Sequence, residues 1–187
     1  MNTLESIQSV PLGKATRLVN YGPVVMVSSS DGSKSNVCTV AWCVPQRKSP
    51  PRFALAIGRS HKSYLNIMKT GALGINVPSE ADLDLLYYVG THSGNDFDKV
   101  RERNIEMLRG TGIETLPLVK QSAAWIECKL VHSEASRDRG IIVVEGVAAH
   151  CRKGVLDADY VWNTKDFPTL HHLGGKKFVV GRDTVEV

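Results

Sequence analysis

The pair Asp31-Gly32, set between two β-prone runs, constrains this chain more than any other feature. Residues 23–30 carry the run Val24-Val25-Met26-Val27, and from Asn36 the chain reads Asn36-Val37-Cys38-Thr39-Val40-Ala41-Trp42-Cys43-Val44-Pro45. Asp-Gly accepts the positive φ that a tight hairpin demands, so the spacing predicts two antiparallel strands, the second starting near Ser35. That return strand is apolar except for Asn36, Thr39 and the indole of Trp42. Polar groups placed there need partners, which makes the strand a candidate ligand wall.

One strand later, the apolar run at 53–57 ends in Gly58 and is followed by Arg59-Ser60-His61-Lys62-Ser63. A helix is expected over 62–70, with Tyr64, Leu65, Ile67 and Met68 at near-helical spacing and Gly71 to stop it. Ser60 is placed to cap it, and the cations Arg59 and Lys62 stand beside the cap without nearby carboxylates in sequence. This is the pattern of an anion site at a helix N-terminus. The strand and the helix start together suit a ligand with a planar hydrogen-bonding head and a phosphate tail, a description that flavin mononucleotide (FMN) meets. Ordinary alternatives stand beside these readings: Asn36 as a turn residue, Thr39 as a strand former and Trp42 as core filling.

Along the rest of the chain, residues 1–12 read as an arm on the surface or on a partner subunit, and 15–19 as a strand. Residues 46–51 read as an irregular loop, because consecutive prolines offer no amide hydrogens to a ladder. A strand at 73–77 precedes a second helix, opened by a capping box of Ser79 and Asp82 and ended by Gly90. A polar loop at 91–94 and a charged helix at 96–103 follow. Residues 123–131 alternate as a half-buried strand, and 141–149 form a more fully buried one after a turn at 136–140. A short strand near Val155 and a last one at 178–180 complete a count of about eight strands and two or three short helices. Without β-α-β alternation, the list suits a closed antiparallel barrel with helices outside it.

The 187 residues fit one domain able to bury a core, and the formal charge of +4 is dispersed among nineteen acidic residues, so nucleic acid is not the expected partner. Four cysteines without metal-ligand or CxxC spacing, and an N-terminus without a signal segment, predict a cytoplasmic protein with reduced thiols. Cys38 and Cys43 read as small core residues. No apolar run approaches the roughly 20 residues of a spanning helix, so no membrane insertion is expected. His171 and His172 are adjacent and point apart in a strand, with no third ligand spaced to join them, so no metal site is expected. His92 and His150 read as structural.

The run from Asn36 to Trp42, the Pro50-Pro51 pair, the turn from Arg59 to Ser63 and the Asp98-Lys99 pair occur in the order found in the flavin reductase-like family. Over roughly residues 10–180 the chain resembles that family, and within it the flavoredoxin branch. The resemblance implies a mainly β fold, the FMN-binding split β-barrel (an antiparallel Greek-key barrel) with a few flanking helices. It also implies a homodimer with FMN near the interface. Asn36, Thr39 and Trp42 would line the ring and ribityl chain, with amides from Asn36 to Ala41, hence Val37, Cys38 and Ala41, beside them. Ser60, Lys62 and Ser63 would surround the phosphate, flanked by Arg59 and His61, and Lys99 would reach the flavin or its phosphate. Lys99 also reads as part of a solvated helix face. Val100 stands where the family motif has phenylalanine, and Asp138-Arg139-Gly140 where many of the reductases have Gly-Asp-His.

No triad or carboxylate pair is evident, and none is needed, because hydride acceptance takes place at the flavin's own N5. The expected activity is that of an NAD(P)H:flavin oxidoreductase, with NAD(P)H as a transient co-substrate, since no GxGxxG follows a strand. The alternative is a flavoredoxin-type electron carrier reduced by a redox protein partner, which the Asp138-Arg139-Gly140 departure favours. A third reading is a non-catalytic barrel for another phosphate ligand or a protein.

Overall fold

The structure, a computed structural model, describes residues 7–19, 24–131 and 140–186. It opens with β1 (Ile7–Ser9), which pairs with a later strand of its own sheet, so residues 7–9 are not part of a free arm. A 3-10 helix (Leu12–Val19) then takes the place of the strand expected at 15–19. Pro11 starts the turn, its carbonyl accepting from the Lys14 amide at 2.7 Å, and Ala15 is buried in the core.

The hairpin at Asp31-Gly32 is formed by β2 (Val25–Ser30) and β3 (Ser35–Val40), with Val25 opposite Val40 and Ser30 opposite Ser35. The carboxylate of Asp31 accepts from the amides of Ser33 and Lys34 at 2.9 and 2.8 Å, which closes the turn. The long run after Asn36 is two strands, not one: Ala41 and Trp42 break it, and β4 (Cys43–Lys48) follows.

The loop expected at 46–51 is instead a second hairpin, between β4 and β5 (Pro51–Ala56), with Lys48 opposite Pro51. Two features of this hairpin accommodate the prolines. Pro45 lies at a register shift in β4, a strand with one partner only, and Pro51 is the first residue of β5.

Helix α1 (Lys62–Thr70) is capped by Gly71 at φ 70°, whose amide donates to Ile67. After β6 (Ala72–Val77), the amide of Ser79 donates to the Asp82 carboxylate at 2.9 Å, and α2 (Leu83–Thr91) begins. Gly90 therefore lies inside α2 and does not end it. The charged helix is a single turn, α3 (Lys99–Glu102), with Asp98 accepting from the Arg101 amide. A small hairpin of β7 (Met107–Arg109) and β8 (Pro117–Val119) precedes β9 (Ala124–Leu130) and β10 (Ile141–Arg152). The segment after Val155 contributes a lone bridge between Leu156 and Trp162, and the hairpin of β11 (Thr169–Gly174) and β12 (Lys177–Gly181) ends the fold.

The main sheet is antiparallel, in the order β3-β2-β6-β9-β10-β5-β4, with β1 added to β10. Consecutive strands β3 and β4 stand at its two ends. Val40 and Cys43 are three residues apart, at most about 11 Å of chain, so the sheet must curl until its ends meet at Ala41-Trp42. The ends meet without pairing, which is the split of the barrel.

Val25, Val27, Phe53, Leu55, Ile75, Ile126, Ile142 and Val144 fill the interior. The alternate residues Val24 and Met26, with Val37, pack outward under Leu86, Val89 and Leu170. Each large side chain so buried contributes about 1.5–3 kcal/mol of transfer free energy.

The two late strands reverse their expected roles. β9 is buried on both faces, because the β7–β8 hairpin covers Trp125 on the outside, whereas β10 alternates buried and partly exposed residues. The carboxylate of Glu127, fully buried on β9, accepts from the amides of Thr111, Gly112 and Ile113 at 2.7, 3.0 and 2.7 Å and so ties down the loop of 110–116. The expected turn at 136–140 lies outside the described residues except for Gly140, whose carbonyl accepts from Ile57.

Candidate functional site

Strand β3 has a ladder partner on one side only, and along its other side runs a cleft of about 340 Å³. The floor is Asn36, Cys38 and Thr39, one end is the start of α1, and the far wall is the chain from Val89 to Asn95. Alternation does not select them, since the adjacent residues Cys38 and Thr39 both line the cleft, which runs along the edge of the strand. The side chain of Val37 is fully buried in the core, so only its backbone is available to the cleft.

Asn36 is buried, and its amide nitrogen donates to the Ser63 hydroxyl at 2.7 Å, which couples strand to helix across the site. Gly94 is held against the same side chain: a Cβ there would stand 2.1 Å from Asn36 Oδ1. Thr39 donates its hydroxyl hydrogen to the Leu86 carbonyl, and Gly90 leaves it room, since a Cβ at 90 would be 2.9 Å away. These two glycines let α2 and the loop after it close onto β3.

At the helix end, His61 and not Ser60 occupies the N-cap, and no side chain caps the helix. Ser60 contributes its carbonyl to the far wall, accepting from Asn95 Nδ2 at 3.0 Å. Among the described residues the first-turn amides of α1 thus have no side-chain acceptor, an arrangement that favours an anion. Lys62 is not free of carboxylates: its ammonium bonds Asp31 Oδ2 at 3.1 Å. The Lys34 and Ser33 amides, the Ser33 hydroxyl and that lysine hold Asp31 well below the usual carboxylate range.

Lys99 is buried, not on a solvated face. Its Nζ donates to the Val89 carbonyl at 2.8 Å, and no carboxylate lies in ion-pair range among the described residues. Burial pushes its ammonium below the ordinary lysine value, partly opposed by Cys38. Burial likewise pushes the Cys38 thiol up, against the Ser63 hydrogen bond and the Lys99 charge.

One cleft therefore brings together Asn36, Cys38, Thr39, Ser60, His61, Lys62, Ser63 and Lys99. Ala41 lines a pocket that continues it, whereas Arg59 and Trp42 are exposed outside both, Trp42 to 76%. The far wall escaped the sequence reading, which took 91–94 as a plain loop. Its signal was present in Thr91 and Ser93, polar groups between Gly90 and Gly94, and in Asn95 just after them. His92 steadies that wall by stacking on Tyr88 at 4.2 Å and donating from Nδ1 to the Tyr88 carbonyl at 3.0 Å. The Asp138-Arg139 part of the departure noted above lies outside the described residues.

Residues 19–171 match the flavin reductase like domain. The chain belongs to the flavin reductase-like family. It is 31% identical over 175 residues to the uncharacterized protein YddH of Escherichia coli K12, covering 91% of this chain and 92% of that one. Among solved structures, an FMN-binding domain of a flavin reductases-like enzyme from Shewanella baltica OS155 superposes with a TM-score of 0.91 at 28% identity, over 97% of both chains. The flavoredoxin of Desulfovibrio vulgaris (Miyazaki F) gives 0.77 at 21% identity, over 89% of this chain and 90% of that one, a likeness of fold. The family fold is the split barrel. No helix among the described residues is long and apolar enough to cross a membrane.

Proposed function

We propose that this member of the family binds FMN in the cleft along β3 and works as an NAD(P)H:flavin oxidoreductase. The observation that carries the reading is the pairing, in one cleft, of a helix N-terminus without a side-chain cap and a buried ammonium without a carboxylate partner, both among the described residues. Both call for an anion, and FMN in its reduced form would supply two, the phosphate and the anionic ring. The chemistry that bound FMN would supply there is acceptance of a hydride from reduced nicotinamide and onward transfer of the electrons.

The chain's own residues hold and tune. The α1 amides with Ser60, Lys62 and Ser63 bind the phosphate. Asn36, fixed by Ser63, and the free backbone edge of β3 orient the ring. Lys99 places a fixed positive charge in a water-poor wall, where it counts for more than in solvent. The exposed Trp42 and Val44, next to the end of the cleft at Ala41, form an apolar face that a second copy covers in a homodimer.

A second reading, an FMN electron carrier reduced by a protein partner, is favoured by Asp138-Arg139-Gly140 standing where many of the family's reductases have Gly-Asp-His. The visible spectrum of the purified protein, before and after NADH without oxygen, separates the readings. A flavin band that bleaches is expected for the reductase. A band that persists assigns the carrier role, and a protein that stays colourless after added FMN overturns both.

A further inference from the structure

On the outer face of the sheet, a pocket of about 200 Å³ opens between β1, β10 and the β7–β8 hairpin, and none of its residues lines the cleft along β3. We propose that it binds an aliphatic carboxylate of about six to eight carbons, with the tail under the hairpin and the head on Arg109. Neither end of that ligand needs a flavin in the cleft.

The tail follows from size and lining. Ile7, Leu108, Leu118 and the Trp125 ring supply apolar walls. The indole N–H of Trp125 is spent on the Val119 carbonyl at 2.7 Å, so the ring offers the pocket apolar surface only. An apolar cavity of roughly 150 Å³ already accepts the carbons of a benzene ring, so a slightly larger one takes a short chain.

The head follows from counting hydrogens among the polar lining residues, Arg109, Thr111 and His150. The Glu127 carboxylate only accepts, so the Thr111 hydroxyl spends its hydrogen there, at 3.0 Å. Towards His150 Nε2, at 2.8 Å, the same hydroxyl oxygen must then accept, so Nε2 carries the ring hydrogen. Nδ1 faces the Ser9 hydroxyl at 3.4 Å. Both ends of the imidazole are therefore engaged by the protein, and the chain of bonds from Glu127 to Ser9 fixes this wall.

Arg109 differs, because its guanidinium is exposed and makes no ion pair among the described residues. A guanidinium at the rim of an apolar pocket suits a carboxylate, which it can hold in a bidentate pair. Glu127 is the negative charge nearby, but the amides of Thr111, Gly112 and Ile113 already compensate it. Arg152, whose guanidinium carbon lies 5.6 Å from the Trp125 ring centroid, adds a second positive charge on the same face. The balance selects an anion over an amine.

The test is calorimetric titration of the protein with octanoate, octan-1-ol and octylamine. Octanoate is expected to bind saturably, about ten-fold or more tighter than the alcohol, with the amine weakest. Arg109→Met is expected to bring octanoate down to the level of the alcohol. Arg109→Glu is expected to exchange the preference, so that octylamine binds more tightly than octanoate. Leu108→Asn, on the tail side, is expected to weaken octanoate and octan-1-ol by a similar factor.

Equal affinity for octanoate and the alcohol, a preference that Arg109→Glu leaves unchanged, or the absence of saturable octanoate binding overturns the proposal. Repeating the titration with FMN added is expected to give the same octanoate affinity. Competition between the two also overturns the proposal, since octanoate is then an occupant of the cleft.

Discussion

Lys99 illustrates how one residue can oppose folding and favour binding. Its ammonium is buried with a single carbonyl partner, so the flavin-free protein bears an uncompensated desolvation cost. Lys99→Met loses one hydrogen bond at Val89 but relieves that cost. The expected outcome is an unchanged or raised melting temperature, together with FMN affinity lowered roughly ten- to a hundredfold, the range for a hydrogen bond to a charged group. Fluorescence titration of FMN and a thermal melt read the two effects separately.

The lowered pKa adds a signature in pH. Because burial favours the neutral amine, FMN affinity falls as pH rises through Lys99's lowered value, earlier than it does with an ordinary lysine. Stability of the flavin-free protein moves the other way. Between the lowered value and the ordinary one, the unfolded chain holds the proton that the folded chain has lost, so stability rises with pH there. Lys99→Met removes both slopes. Sequence alone left Lys99 between a ligand contact and a solvated face, since charged neighbours at 96, 98, 101 and 102 give no sign that α3 is one turn long with its lysine turned inward.

At the scale of elements, what the sequence showed and what it hid follow from what each strand touches. The Asp31-Gly32 hairpin and α1 were legible because their signals are local: turn chemistry, helical spacing and a stop glycine. The β4–β5 hairpin was hidden because a proline rules a residue out of a ladder only where a neighbour needs its amide. Whether Pro51, the second of the consecutive prolines, faces such a neighbour depends on the order of the sheet. β9 misled for a similar reason, because alternation shows which residues share a face but not whether β7 and β8 will cover the second face.

That cover depends on Glu127. Replacing it with alanine takes the carboxylate from the amides of Thr111, Gly112 and Ile113, a hydrogen bond to a charged group contributing roughly 1.5–3 kcal/mol. Glu127→Ala is expected to destabilise the protein by at least about 3 kcal/mol in urea unfolding, whereas Glu127→Gln, which keeps an acceptor oxygen, costs less.

For the whole molecule, the fold class followed from the absence of β-α-β alternation, and the helix-end half of the cleft from the Arg59–Ser63 pattern. The rest of the cleft was not legible, since the chain from Val89 to Asn95 and the β11–β12 hairpin reach β3 only through closure of the barrel. The proposed homodimer is tested at this scale. Trp42→Asp puts a charge on the exposed apolar face without disturbing the core, and sedimentation is expected to show a shift from dimer to monomer, with flavin content falling alongside it.

The two-residue corner of Ala41-Trp42 has a consequence for how the barrel breathes. It splices β3, which lines the cleft, to β4, the strand furthest from it in the order of pairing. Neither strand can peel away without pulling on the other, so the two fluctuate as one cooperative unit despite sharing no ladder. A molecule lodged against β3 should therefore slow hydrogen exchange in β4, at amides it never touches.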